Sequence, residues 1–576
     1  MLCGLVLRGP RPQLSPGASV SKLDLLRQSL QRAATALQGR RLEEVETTCA
    51  EIVRQNGEEA NALMLLGLVR LERGDLRQGI AFLERARRAS PNHVHVLSNL
   101  GCAYRNSGRL AEARRALEAA VAAEPGFAVA QHNLGNVLLD LGERDAAAAR
   151  YAKAVELQPG YADALAALAG LAEEEHRLDQ AMTLAGRALQ VAPRNAAARL
   201  TRAKVLVRAG ETASAVADLQ AMLDDPGLPA VSRAIAEGHL GDAFDQRGDY
   251  DEAFARYTAA NRIQLEQHAE TFARDAGFMS PPTVRRLRSL LREADVSQWQ
   301  HAPGRGDAEP VFLVGFPRSG TTLLDQVLAS HPAIGTLEER PALVDACAAL
   351  LAPGAGAREW AHLAPAVLAE LQEQYLARVS QCLGEAPRRP VLIDKFPLNA
   401  ILLPVIARVF PDARVILALR DPRDVVLSCY QQRFGMNGAM YQLLRLDTAA
   451  AFYDDVMNLV AECRERLPLR VHEVRYEQVV GDFDATVGQL LAFLGLPWSD
   501  AVRDFAATAR QRVVSTPSAA QVVRPLYSSS RGRWRNYRRF LEPVLPVLAP
   551  WVAAYGYEDS RCEAPTARRV ETPDPG

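Results

Sequence analysis

Apolar positions in the first half of the chain recur at helical spacing. Leu110, Ala113, Leu117 and Val121 fall on one face of a helix, and stripes of this kind follow one another with a fixed step. Gly67, Gly101 and Gly135 stand 34 residues apart, and Ala169 and Ala203 continue the series. Pro91, Pro125, Pro159 and Pro193 keep the same step, as do Gly74, Gly108 and Gly142, with Gly210 later. Ala113, Ala147, Ala181 and Ala215 form a further column. Each column has a physical task in a helix–turn–helix unit. The first small residue admits a close partner helix, the glycine seven positions on ends its own helix in a left-handed cap, and the proline stops the second helix. The pattern changes after Asn261. Val311-Phe312-Leu313-Val314 reads as a buried strand, and Val391-Leu392-Ile393, Val415 to Leu419 and Leu469 to Val474 read as further strands separated by helical stretches, which predicts a parallel α/β sheet.

Composition adds limits. The chain has 576 residues, 48% apolar and 23% charged, as in ordinary globular proteins. Its 67 Lys+Arg against 68 Asp+Glu give a net charge of −1, which excludes a uniformly basic surface that coats nucleic acid and leaves room for a local basic site. The 8 cysteines are scattered without metal-binding spacing, so neither a disulfide scaffold nor a structural zinc site is expected. No stretch reaches the roughly 20 apolar residues of a membrane span, and Met1 to Leu7 lacks the positive flank of a secretory leader. A cytoplasmic location is expected.

The first predicted strand runs into Gly315-Phe316-Pro317-Arg318-Ser319-Gly320-Thr321-Thr322, followed by apolar residues at helical spacing from Leu323 to Ala329. Strand, glycine-bearing turn and helix start together present backbone N–H groups to a phosphate. The spacing is that of G-x-x-x-x-G-K-[ST], but Thr321 stands at the lysine position, which argues against a nucleoside triphosphatase or a kinase. Arg318 supplies positive charge in the loop instead. The other strands end at Asp394-Lys395, at Arg420-Asp421-Pro422 and at Arg475-Tyr476-Glu477, so polar groups gather at the carboxyl ends of the sheet, where such folds bind ligands.

The 34-residue unit resembles the tetratricopeptide repeat, a helix–turn–helix module that stacks into a solenoid with a concave face. The resemblance spans residues 24–267, about seven repeats, with a break at Asp224–Pro229. The second half resembles the sulfotransferases, most closely the tyrosylprotein sulfotransferases as found in bacterial tetratricopeptide–sulfotransferase fusions. That resemblance implies the co-substrate PAPS (3′-phosphoadenosine 5′-phosphosulfate) and no metal. It assigns Arg318, Ser319, Gly320, Thr321 and Thr322 to the 5′-phosphosulfate, Arg420 and Ser428 to the 3′-phosphate, and Tyr476 to the adenine. Ser518, Gln521, Arg524 and Arg533 fall in the segment that closes over the nucleotide. Glu339, in Glu338-Glu339-Arg340, takes the place of the catalytic base. Lys395 and Arg318 would stabilise the leaving phosphate, and Ser518 would assist.

Other readings stay open for single residues. Glu338 or Glu339 could simply pair with Arg340, Arg420 with Asp421 or Asp424, and Tyr476 could be a core tyrosine. The sequence also departs from the family. An expected arginine falls at Gln432, with Arg433 beside it, and Lys-Phe-Pro replaces Lys-Asp-Pro-Phe. Late lysines become Arg524 and Arg533.

The expected organisation is an N-terminal segment (1–23), an α-solenoid (24–267), a linker (268–310), an α/β P-loop-like sulfotransferase domain (311–560) and a tail (561–576). The expected activity is sulfuryl transfer from PAPS to a hydroxyl, with a protein tyrosine as first choice and the concave face of the array binding the acceptor or a partner. A glycan or small-molecule hydroxyl is the alternative acceptor, and a non-catalytic scaffold is the alternative to an enzyme.

Overall fold

The computed structural model describes residues 22–272, 277–299, 310–384, 389–506 and 530–557. It divides into two compact units, Met1–Leu228 and Pro229–Gly576. Among the described residues the first unit is all helical, with twelve helices from α1 (Lys22–Gln38) to α12 (Thr212–Leu223) arranged as successive pairs.

One pair shows why this sequence folds so. In α5 (Val94–Asn106) and α6 (Leu110–Ala123) the buried side chains include Leu97, Leu100 and Ala103 on the first helix and Ala113, Leu117 and Ala120 on the second. A Cβ on Gly101 would lie 2.4 Å from Leu117 Cγ, so the helices meet only because that side chain is missing. Gly108 turns the chain between them at φ 76°, a conformation that costs a residue with a side chain about 1–2 kcal/mol. The column of turn glycines is interrupted at His176, which takes the same left-handed conformation at φ 61°. α6 ends at Ala123, two residues before Pro125, as the proline column requires.

The second unit opens with a helical hairpin, α13 (Ala230–Arg247) and α14 (Tyr250–Phe272). Periodicity assigns this hairpin to the array, and it also packs on other elements of the second unit. Phe254 stacks on Phe540 at 4.0 Å and on Tyr430 at 5.3 Å, and Asn261 donates to the Tyr430 carbonyl at 2.9 Å. The stretch expected as a linker also contains core. α15 (Pro281–Glu293) buries Val284, Leu287, Leu290 and Leu291 in the main apolar cluster, and Arg288 pairs with Glu462 at 3.0 Å.

The sheet has five strands in the order β2-β3-β1-β4-β5, all parallel: β1 (Val311–Gly315), β2 (Ile334–Glu338), β3 (Val391–Lys395), β4 (Arg414–Leu419) and β5 (Arg470–Arg475). Side chains alternate across it. Phe312 and Val314 enter one apolar cluster, while Val311 and Leu313 enter another on the opposite face. This double burial is why β1 reads as an unbroken apolar run. β2 escaped the sequence reading because Ile334-Gly335-Thr336-Leu337-Glu338 is an edge strand with a glycine and two polar positions. No helix of the described residues is long and apolar enough to cross a membrane.

Candidate active site

The phosphate-type loop joins β1 to α16 (Thr321–Ala329). A Cβ on Gly315 would lie 2.6 Å from the Ala418 carbonyl of β4, so the loop leaves the sheet where only glycine fits. Arg318 adopts φ 70°, in the left-handed region that costs a side-chain-bearing residue energy and is tolerated where surrounding contacts enforce it. Its Nε donates to Ser428 Oγ at 3.0 Å. Ser319, Thr321 and Thr322 are buried, and Ser319 Oγ has no hydrogen-bond partner among the described residues. A buried hydroxyl without a partner in a loop of N–H donors suits an oxyanion ligand.

β4 repeats the strand-to-helix arrangement. Arg420 follows it, and the helix Pro422–Gln431 carries Asp421 as its cap, accepting from Arg423 N at 2.9 Å. Arg420 donates to the Arg318 carbonyl at 3.2 Å and to the Ser530 carbonyl at 2.6 Å. Its guanidinium lies 5.0 Å from the Tyr476 ring centre. Its nearest carboxylate is Asp424 at 3.9 Å, whereas Asp421 pairs with Arg423 at 2.8 Å. Arg420 Nε is buried without a partner among the described residues.

Arg318, Arg420, Ser428 and Arg533 line one open recess, so residues far apart in sequence come together there. Tyr476, at the end of β5, packs against the loop with Cδ2 3.0 Å from where a Gly320 Cβ would sit. Four further residues line the recess: Asp424, Gln431, Leu427 and Ser530. The first two were detectable in principle, because they lie four residues after Arg420 and three after Ser428 on the same helix. Asp424 accepts from Gly532 N at 2.6 Å and Trp534 N at 2.8 Å, tying the late segment to this helix. Burial raises its carboxyl above the ordinary range, against the pull of Arg420.

A second cluster forms at the ends of β2 and β3, where the register pairs Glu338 with Lys395. The Lys395 ammonium is fully buried and donates to Glu339 Oε1 at 2.8 Å and Glu338 Oε1 at 3.3 Å. The glutamates thus pair with Lys395, and the Glu339 backbone N–H donates to the Lys395 carbonyl at 2.7 Å. Glu339 is a second side-chain-bearing residue at positive φ, 47°, so among the described residues of this unit both such positions fall on residues singled out for chemistry. One of the three ammonium donor positions stays open among the described residues. Strand alternation turns the neighbouring Asp394 to the other face, where Tyr375 donates to it at 3.0 Å and burial pushes its carboxyl up to about 7.

Ser518, Gln521 and Arg524 lie outside the described residues. Arg433, adjacent to the position where an arginine is expected, turns to α13 and pairs with Asp242 at 2.6 Å. Arg533 lines the recess and also pairs with Asp245 of α13 at 2.5 Å. No sequence signal linked α13 to this site, since its repeat pattern points to the array.

A family model described as the sulfotransferase family matches residues 310–500. Tetratricopeptide repeat models match 70–134 and also 29–94, 132–198 and 200–264. An uncharacterized protein of Aquifex aeolicus is 31% identical over 57% of this chain, which spans 43% of that protein's length. Protein-tyrosine sulfotransferase 1 of Danio rerio is 28% identical over 47% of this chain and 77% of its own length. A solved structure of Pseudomonas aeruginosa pilF is similar over 35% of this chain and 92% of that one, at 18% identity and a TM-score of 0.32, too loose a likeness to carry an argument. The chain therefore carries tetratricopeptide repeats in its first half and a sulfotransferase-family domain, built on a parallel sheet, in its second.

Proposed function

We propose that the second unit transfers a sulfuryl group from PAPS to an acceptor hydroxyl, with a protein tyrosine as first-choice acceptor. The observation that carries this reading is the recess in which Arg318, Arg420, Ser428 and Arg533 converge beside a glycine-bearing loop, with Ser319 Oγ and Arg420 Nε buried and without a partner among the described residues. Such a set suits a ligand with two phosphate-type groups. The loop N–H groups and α16 would take the 5′ end, and Arg420 with Ser428 the 3′-phosphate. Tyr476, beside Arg420 and the loop, would face the base.

PAPS supplies a sulfuryl group on a phosphosulfate anhydride. The chain's own residues would do the rest. Glu339 accepts the proton of the acceptor hydroxyl while that oxygen bonds to sulfur and the bridging S–O bond breaks, leaving 3′-phosphoadenosine 5′-phosphate (PAP). A positioned base typically contributes about 10²–10⁴-fold. Lys395 keeps Glu339 oriented, and its open donor position, with Arg318, would meet charge developing on the leaving phosphate. The array would present the acceptor protein or another partner.

The test incubates radiolabelled PAPS with the full chain and either a host lysate or a small phenol. Label in protein tyrosine supports the reading. Label confined to glycan or small molecules shifts the acceptor class, and no label in any acceptor contradicts the activity. A chain cut after Leu228, which keeps α13 and α14, is expected to lose labelling of protein while labelling of phenol persists. Equal loss on both acceptors would contradict acceptor recruitment by the array.

A further inference from the structure

We propose that Asp245, on α13, is a positioning residue for the anion recess, holding Arg533 ready for the 3′-phosphate; this rests on the reading of that recess given above. Asp242 and Asp245 are three residues apart and so share one face of α13. Of the two, Asp245 holds a residue that lines the recess, Arg533. Asp242 takes Arg433, which follows the helix bearing Ser428 and Gln431, and also accepts from Tyr257 OH at 3.1 Å. A Cβ on Gly238 would lie 2.7 Å from Arg433 Cδ, so the arginine rests against a bare patch of the same helix. Asp245 accepts from Arg533 at 2.5 Å and from Tyr537 OH at 2.5 Å. A helix that repeats by the rules of the array is thereby built into the wall of the site.

The carboxylate acts on Arg533 in two opposing ways. It lowers the positive potential of the recess, and it fixes a long side chain that would otherwise lose its rotamer freedom when the anion binds. Arg533 is 36% exposed, so solvent screens the charge effect, whereas the ordering effect is not screened. Arg533 makes no other hydrogen bond to the described residues, so its remaining edge is available to a phosphate. Pre-organisation should win, and loss of Asp245 should weaken binding.

The experiment titrates PAP, and AMP as the analogue without the 3′-phosphate, into the full-length chain, with thermal melts alongside. Asp245→Ala is expected to lower PAP affinity about tenfold while AMP affinity stays within about twofold. Arg533→Ala added to Asp245→Ala should cost less than Arg533→Ala alone, because the two act together. Asp245→Asn keeps the volume and an acceptor oxygen, and gives the same comparison at a smaller loss if the alanine variant does not fold. Unchanged or tighter PAP binding overturns the proposal, as does an equal fall for PAP and AMP. A wild-type chain that binds no PAP overturns the parent reading, and this one with it, whereas PAP binding indifferent to Asp245 overturns this one alone.

Discussion

The helical array and the α/β unit are specified by the same chain in different ways. In the array, a contact between the two helices of a repeat is written again 34 positions later, so Gly101 against Leu117 has its counterpart in Gly135 against Tyr151. In the α/β unit the contacts that matter are made once. Arg318 meets Ser428, Lys395 meets Glu339, and Arg533 meets Asp245 across the sequence. Repetition makes the array readable and tolerant, whereas the site depends on long-range register and on two residues held at positive φ. A fault in the array should therefore stay local, and a fault in the sheet should reach the chemistry.

The largest stability effect is expected at Asp394. Its carboxyl is raised to about 7 by burial, so the folded state favours the protonated form. Stability from that proton is complete below the ordinary carboxylate range and is lost as pH rises through about 7, a loss on the order of 4 kcal/mol. Asp394→Asn keeps the acceptor for Tyr375 and cannot ionise. Denaturant melts between pH 5 and 8 should show the pH dependence of the second unit flattened in the variant, while the first unit is unaffected. A slope equal to that of the wild type would contradict the raising of this carboxyl by burial.

A smaller effect is expected in the array. Gly101→Val places side-chain atoms where Leu117 stands and should cost about 1–3 kcal/mol. Melts should show the first unit destabilised, and sulfuryl transfer to a small phenol should be unchanged. Loss of phenol activity in this variant would break the separation drawn above.

The legibility of the sequence follows the same division. The helix pairs were visible because four columns of small residues and prolines repeat at one step. The broken glycine column at His176 shows that the backbone requirement persists where the residue type does not. β1, β3 and β4 were visible as apolar runs and β5 as a mixed one, and Arg318, Arg420, Ser428 and Arg533 line one recess. β2 was hidden by its edge position and mixed composition. The partner of Glu339 was hidden because strand register, which sets Lys395 beside it, cannot be read from either strand alone. The place of α13 and α14 was hidden by their own regularity: the repeat pattern fixes a hairpin's internal packing and is silent about what its outer face meets.

The most direct test of the central claim is transfer from radiolabelled PAPS by the wild-type chain and by Glu339→Gln, with PAP affinity measured on both. The account predicts transfer by the wild type, a fall of about 10²–10⁴-fold in the variant, and PAP affinity nearly equal in the two. Transfer by Glu339→Gln at the wild-type rate, or a wild-type chain that neither binds PAP nor moves the label, would contradict it.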